Sequence, residues 1–391
     1  MQPDVIVIGA GLAGLSAAWH LAPQQRVLVL DQAEQPGAEA SAQNAGMARR
    51  LGEDPYERAL ALRTGAWLAA PSGADWPEPP SRVVGAVLAL NSDPQHLHDG
   101  VAHLRVHGVD VQRLDGVGAV APVLAGAQLS AVWWLPDERV VDPHALLQGY
   151  LRGVVRHRGE VRCGVRVESL ITEGGRVVGV RVPEGQIRTD RVVLAGGAWS
   201  SSLAATAGLR RPLFPLRRTL LQSAPHPLSR PDHPWVWVED RGVYARPEGG
   251  GWLVSACDEA HDPPAAGPGS RGPVDPELRA RAQDKVDRTL PALAGLVLDR
   301  GWTGLRTFAP DRRPVLGADP DAPGLWWVAG LGGFGVTCGH AAGEAVAAWM
   351  RGESTPWLSP RGVSPGRIYP LRWSIRPDGD LHRATLIDGA A

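Results

Sequence analysis

Three glycines and one aspartate carry the most specific chemical signal in the chain. Gly9-Ala10-Gly11-Leu12-Ala13-Gly14 supplies the pattern GxGxxG, and Asp31 lies 31 − 9 = 22 residues past its first glycine. That is close to the ~20 expected when an acid receives a ribose. Gly9 permits a tight turn, Gly11 lets a pyrophosphate approach bare backbone, and Gly14 lets a helix pack closely on a strand. The phosphates would meet the free N–H groups and positive dipole end of that helix. Asp31 would accept hydrogen bonds from a ribose. A chain with 48 glycines produces such spacings by chance, so the flanking elements decide. Val5 to Ile8 is an apolar, β-branched run that reads as a buried strand. Leu12, Leu15 and Trp19 recur at helical spacing, and Pro23 limits that helix. Arg26 to Leu30 is a second strand ending at Asp31. Strand, glycines, helix, strand and acid fall in order and predict a dinucleotide site. The unit alone does not distinguish NAD from FAD.

Composition sets the background for other candidates. Of 40 basic residues, all but Lys285 are arginine, so a lone arginine is ordinary surface charge unless something else marks it. The chain has 15 Trp against 4 Tyr and 3 Phe, which makes a tryptophan weaker evidence for a site than a tyrosine. A length of 391 residues suits two domains. A net charge of −1 gives no reason to expect nucleic acid or an anionic membrane surface as partner. The N-terminus lacks the positive region of a signal peptide, and no apolar stretch has the length of an integral membrane segment. Cys163, Cys257 and Cys338 are odd in number and form no CxxC pair, so a reduced, cytoplasmic compartment is expected. No metal is called for.

Other segments must position a bound dinucleotide and whatever reacts with it. Ser41, Asn44, Ala45, Gly46 and Met47 form a loop of small residues that lets backbone approach a planar ligand, with Arg49 and Arg50 behind it. An ordinary Gly/Ala loop is the alternative. Residues 56–70 read as a helix, 71–80 as a connector, 81–90 as one strand and 96–106 as a helix. Asp142-Pro143 starts a helix with an N-cap acid and a proline at its first position, running to about His157. Residues 160–167 read as a strand, 177–188 as a hairpin, and Arg191 to Leu194 as an apolar strand running into Ala195-Gly196-Gly197. Such a strand resembles one returning to the nucleotide domain. From Arg211 to about Arg300 the pattern turns to short strands and Pro-rich turns, with a loop at 258–273 and a charged helix at 276–290. Leu325 to Gly330, the glycines through Gly335, and a helix to about Met350 make a second strand–glycine–helix unit. Residues 356–391 read as a loosely packed tail.

Taken together, GAGLAGL, AGGAW, GLR and VAGLGGFG resemble the D-amino-acid oxidase superfamily of FAD-dependent amine oxidoreductases, and within it the D-arginine-type dehydrogenases. The similarity runs from residue 4 to about 350 and includes PLRRT, VYARP and GLRTF. It implies an α/β protein with a discontinuous Rossmann-like FAD-binding domain (1–80, 142–210 and 301–355) and a second, α+β substrate domain on a mixed sheet (81–141 and 211–300). It implies FAD rather than NAD, held non-covalently, because no cysteine follows Arg306 before Trp327, where covalent members attach the flavin. By resemblance the cofactor is held by Gly9, Ala10, Gly11, Leu12, Ala13, Gly14, Asp31 and Gln32, and by Ser41, Asn44, Ala45, Gly46 and Met47. Val167 would lie beside the adenine. Ala195, Gly196, Gly197, Trp199, Gly304, Gly330, Gly332, Gly333, Phe334, Gly335, Val336 and Thr337 complete the set.

The activity implied is hydride transfer from the Cα of a D-amino acid to flavin N5, the imino acid then hydrolysing to a 2-oxo acid and ammonia. Arg306 matches the family's carboxylate-binding arginine, whose fork makes two charge-assisted bonds. Arg217 and Arg218 both match a second cationic position, and Tyr244 matches a tyrosine that reaches the carboxylate. The carbonyl of Gly332 would accept from the amine. No dedicated base presents itself. The family's lid tyrosine has no counterpart in residues 49–53. Nor does residues 81–88 hold the glutamate with which D-arginine-type enzymes pair a cationic side chain. Val84 falls near that position, so an uncharged substrate is expected, with Trp133, Trp134, Trp235 and Trp237 as candidate walls and Glu138, Glu239 or Asp240 as acids able to restore cation binding. The electron acceptor would be a quinone or O2. The alternatives are an O2-reducing glycine or sarcosine-type amine oxidase of the same fold, and a flavoprotein with a binding role.

Overall fold

The computed structural model describes residues 2–52, 54–71, 73–92, 95–269 and 272–368. A six-stranded sheet gathers strands from both ends and the middle of the chain. β1 (Val5–Ile8) lies between β2 (Val27–Leu30) and the strand Val192–Leu194, all parallel. Leu325–Ala329 and Glu160–Arg162 extend the parallel order on either side, and Val315–Ala318 closes one edge antiparallel. The three central strands are continuously apolar because both faces are covered. Val5, Val7 and Val29 pack under α1 (Leu12–Leu21) and α2 (Gly335–Met350), while Ile6, Ile8, Leu28 and Leu30 pack with Val177 and Val180 of the hairpin on the other face. The two helices touch backbone to backbone: a Cβ on Gly343 would lie 2.5 Å from the Ala17 nitrogen.

A nine-stranded mixed sheet comes from the two intervening stretches. Its longest members are β3 (Phe214–Gln222) and β5 (Arg300–Phe308), antiparallel in register from Phe214↔Phe308 to Gln222↔Arg300, with β4 (Val243–Glu248) between them in the chain. The parallel pair Ala86–Leu90 and Trp235–Val238 joins the two stretches. Alternation sorts its faces. Val243, Ala245 and Val254 face the helix Pro276–Thr289, whereas Leu220, Tyr244 and Leu253 form a separate cluster on the opposite face. β5 belongs to this sheet, so the boundary expected near residue 300 coincides with the start of a strand.

Several local expectations are corrected. Residues 81–90 form two strands in different sheets, Ser81–Val83 and Ala86–Leu90. Gly85 breaks them at φ +77°, where the Trp134 ring leaves no room for a Cβ. The strand after Glu160 ends at Arg162, and Cys163 to Val167 is irregular chain tied back by the Val165 N–H to the Asp31 carbonyl (2.9 Å). The loop at 258–273 contains a two-residue strand, Ala260–His261, on the edge of β3. The tail is not loosely packed through residue 368: Leu358, Val363 and Ile368 are buried, and Arg367 holds Asp311 through two bonds of 2.7 and 3.0 Å. Its remainder, 369–391, lies outside the described residues, as does Glu53.

Candidate active site

A cavity of about 470 Å³ opens at the carboxyl ends of the parallel strands, where Gly9, Asp31, Ala195 and Gly330 follow directly. This is where ligands bind in open α/β sheets. Its other wall is the face of the nine-stranded sheet that carries Arg218, Leu220, Trp237, Tyr244 and Arg306.

At one end, packing fixes the glycine turn. Gly9 sits at φ +105°, where a Cβ would lie 2.4 Å from the Ala195 carbonyl oxygen, and a Cβ on Gly14 would lie 1.9 Å from the Gly9 oxygen. Gly11 is different: its Cβ would meet only the Ser41 hydroxyl, at 3.0 Å, so its backbone faces the cavity. Ala10 and Gly14 do not line the cavity; they support it. The Ala10 N–H donates to one Asp31 oxygen (2.6 Å) and the Ala33 N–H to the other (2.8 Å). Asp31 therefore fastens the turn as well as lining the cavity, and each oxygen keeps one lone pair for a ribose. Burial raises its carboxyl pKa, opposed by those two backbone bonds.

The helix termini show what the cavity accepts. The helices Pro55–Ala69, Pro143–Arg156 and Pro276–Thr289 are capped by Asp54, Asp142 and Asp275, each taking two backbone N–H groups. α1 and α2, whose first residues line the cavity, have no side chain of their own cap residue bonded to them. Two positive helix ends thus face one cavity, the Leu12 N–H at the start of α1 being bonded to the Ser41 hydroxyl at 2.9 Å. The residues fit a dinucleotide with a pyrophosphate at α1 and a second electron-rich group at α2. Gln32 and Val167 line the end beside Asp31; Ser41, Asn44, Ala45, Gly46, Met47, Gly196, Gly197 and Trp199 line its length. Asn44 holds that loop by accepting from the Gly46 N–H (2.8 Å) and donating to the Ser41 carbonyl (2.6 Å).

The opposite end is cationic. Gly330, Gly332 and Gly333 have φ of +65°, +57° and +90°, and lead into Phe334, Gly335, Val336 and Thr337 at the start of α2. A Cβ on Gly333 would strike the Arg306 side chain at 2.5 Å, so the guanidinium passes directly over this loop. The β3–β5 register explains which arginine joins it. Leu216 opposes Arg306 and Arg218 opposes Gly304, so Arg218 and Arg306 share a face. Arg217 points away, does not line the cavity and approaches Asp262 at 3.9 Å. Of the two candidates in PLRRT, only Arg218 is at the site. Tyr244 stands beside them with its ring 5.1 Å from that of Trp237. Burial raises the phenol's pKa against the pull of Arg218 and Arg306, so it is a neutral O–H donor at pH 7. Burial, and then Arg218, lowers the Arg306 pKa to about 10. Nε of Arg306 and both Nε and Nη1 of Arg218 are buried without an acceptor among the described residues. Buried donors left this way are costly unless a ligand satisfies them.

Two residues at this end carried no usable sequence signal. Arg49 lines the cavity, with its guanidinium 4.4 Å from the Trp237 ring and 5.0 Å from that of Phe334, paired to Glu239 at 3.2 Å. Glu259 accepts from Arg306 at 2.6 Å and from Arg218 at 3.3 Å. It is one of 41 acids, in a Pro/Gly-rich loop. Of the tryptophans expected as walls, only Trp237 lines the cavity; Trp133 and Trp235 are core, and Trp134 packs on Gly85. Val84 is also core. The acids proposed to restore cation binding are committed elsewhere: Glu138 to Arg50, Glu239 to Arg49, and Asp240 to Asn91 and Ser92.

Comparison with known proteins agrees with this geometry. The DAO family model, FAD dependent oxidoreductase, matches residues 4–349. The chain is 29% identical to a glycine oxidase of Pseudomonas aeruginosa, over 94% of this chain and 100% of that protein. It is 32% identical to a D-amino acid dehydrogenase of Cereibacter sphaeroides, over 62% of this chain and 54% of the other. A 31% match to 4-methylaminobutanoate oxidase (formaldehyde-forming) of Paenarthrobacter nicotinovorans spans 58% of this chain and 28% of that protein. The solved structure of glycine oxidase from Geobacillus kaustophilus has the same fold, with a TM-score of 0.80 at 21% identity over 94% of this chain and 100% of that one.

Proposed function

The chain belongs to the DAO family of FAD-dependent oxidoreductases, and from that premise we propose that it deaminates neutral D-amino acids oxidatively to 2-oxo acids and ammonia. The observation that carries the reading is the pair of guanidinium side chains, Arg218 and Arg306, which line one cavity together with Tyr244. Two guanidiniums and a phenol O–H form a receptor for one carboxylate. Bound FAD supplies the two-electron acceptor; orientation, charge and desolvation fall to the residues of this chain. Clamping the carboxylate fixes the rotation of the substrate, so its Cα–H bond meets the cofactor in one orientation. The Gly332 carbonyl is the acceptor offered to the amine. The two cations also disfavour a third positive charge beside them, so the ammonium sheds its proton without a dedicated base. Loss of a hydride and a proton leaves an imino acid, which water converts to the 2-oxo acid and ammonia.

A neutral side chain follows from the lining. The acids on the cavity wall are Asp31, Glu39 and Glu168. Glu39 acts electrostatically on Asp31, and Glu168 adjoins Val167, so both belong to the dinucleotide end. Around Arg306 and Trp237 the lining is apolar, neutral polar or basic. The full-length match to glycine oxidase favours a second reading, in which glycine or an N-methyl amino acid is oxidised at the expense of O2. One experiment tests both: flavin bleaching under argon across D- and L-amino acids, glycine and N-methyl amines, followed by admission of air. Bleaching by D-leucine or D-methionine is the expected result. Bleaching by glycine and sarcosine alone, with rapid reoxidation, supports the second reading, and no bleaching by any of them overturns both.

A further inference from the structure

We propose that Glu259 is the positioning residue of the carboxylate clamp, one of its oxygens pinning Nη2 of both Arg218 and Arg306. The inference rests on the reading of those arginines as a substrate clamp and adds what holds the clamp in shape. Two guanidiniums on one face of adjacent strands repel each other, and little water screens them: their side chains are 10% and 19% exposed. Glu259 Oε1 lies 2.6 Å from Arg306 Nη2 and 3.3 Å from Arg218 Nη2. Its other oxygen accepts from Nη2 of Arg312, half-exposed at the surface, at 2.7 Å. Glu259 does not itself line the cavity. It therefore works from behind, while the two guanidinium side chains it holds line the cavity and would meet a substrate carboxylate.

The surroundings fix the carboxylate in turn. The Arg306 and Arg312 guanidiniums lie 5.0 and 4.7 Å from the Phe308 ring, which itself lies under Gly332. Glu259 lies two residues after Cys257, which holds φ +52°, and precedes the strand Ala260–His261 that pairs with β3. The loop is thus tied to the same strand that carries Arg218. Three arginines hold the carboxyl pKa down to about 2 despite its burial, so Glu259 stays anionic across the working range. Without it, three cations would share the site, with Asp258 of the same loop still acting on Arg218.

The test compares wild type with Glu259→Gln and Glu259→Asp holoenzymes. KM for the best amino-acid substrate is expected to rise at least 10-fold in Glu259→Gln while kcat at saturation changes less than 3-fold. The alkaline limb of kcat/KM, set by Arg306, moves to lower pH because its supporting anion is gone. Glu259→Asp recovers part of both effects. Acetate titration, followed by the flavin absorbance, reads carboxylate affinity without turnover and is expected to weaken in the same order. A wild type that binds acetate but oxidises no amino acid overturns the functional reading, and acetate titration of the variants then decides Glu259. If Glu259→Gln binds acetate as tightly as wild type, or wild type binds none, Glu259 does not position a clamp. Should Glu259→Gln fail to fold, Arg312→Ala, which frees the carboxylate from its surface side, must show a smaller KM rise or the inference fails.

Discussion

Arg306 and the paired residues 217 and 218 separate what a residue type contributes from what its placement contributes. A lysine at 306 keeps the charge but loses the fork. A hydrogen bond to a charged group contributes about 1.5–3 kcal/mol, so Arg306→Lys is expected to lower kcat/KM by roughly 10- to 100-fold or more, with little change in the urea midpoint. Near-normal kcat/KM in that variant would remove Arg306 from the clamp. The adjacent arginines give a sharper contrast. Arg218→Ala removes one of the two guanidiniums of the clamp and is expected to raise KM strongly, whereas Arg217→Ala, on the other face, should leave KM within about 2-fold. Equal effects would put Arg217 at the site as well, against the β3–β5 register. Sequence reasoning could not choose between them, because which of two neighbours faces the site depends on pairing with a strand some eighty positions away. It also passed over Glu259, since a loop acid is marked only by the arginines it meets in space.

At the scale of elements, much of the dinucleotide half was legible. Strand, glycines, helix and acid each leave a local mark, and the strand at 192–194 does pair in parallel with β1, as the strand at 325–329 does with 192–194. Legibility failed where a nonlocal contact overrides a local pattern: Trp134 at Gly85 splits one expected strand into two sheets, and Val165 is held by β2's end rather than by a ladder. Two predictions belong here. Gly14→Ala places a methyl 1.9 Å from the Gly9 oxygen. Only a shift of the turn relieves that contact, so flavin content per chain is expected to fall sharply; full occupancy would refute the packing role. The second concerns α1 and α2, whose His20 and His340 rings lie 4.8 Å apart. Burial lowers the His20 pKa to about 4 and the His340 pKa well below its ordinary value. Between about pH 6.5 and 4 the unfolded chain binds more protons than the folded one. Stability is therefore complete above about 6.5 and is lost as pH falls through that window. Urea midpoints at pH 7.0, 5.5 and 4.5 are expected to fall stepwise, and less steeply in His340→Gln. Parallel profiles would assign the loss to other groups.

At the scale of the molecule, two sheets with different tasks meet along one cavity, and no helix among the described residues is long and apolar enough to cross a membrane. The parallel sheet supplies the cofactor's seat and the mixed sheet supplies charge, so each can be tested without the other. Acid precipitation is expected to release FAD into the supernatant, because no cysteine lies between Arg306 and Trp327 to bond it; colour retained in a washed pellet would mean a covalent link elsewhere. Side-chain preference tests the mixed sheet. Arg49, Arg218 and Arg306 all line the cavity, while Glu239 and Glu259 face it only through those arginines. Desolvating a substrate guanidinium there, without a carboxylate to receive it, costs on the order of several kcal/mol. An apolar side chain against Trp237, Leu220 and Met47 instead gains about 1.5–3 kcal/mol if fully buried. Both terms have the same sign, so D-leucine and D-methionine should exceed D-arginine in kcat/KM by at least 100-fold. Glu239 pairs with Arg49, which lines the cavity. Arg49→Ala removes a cation from the wall beside that acid, and D-arginine turnover should then rise relative to D-leucine. If D-arginine already leads in the wild type, the cavity has a carboxylate that this geometry does not assign to it, and the neutral-substrate reading fails.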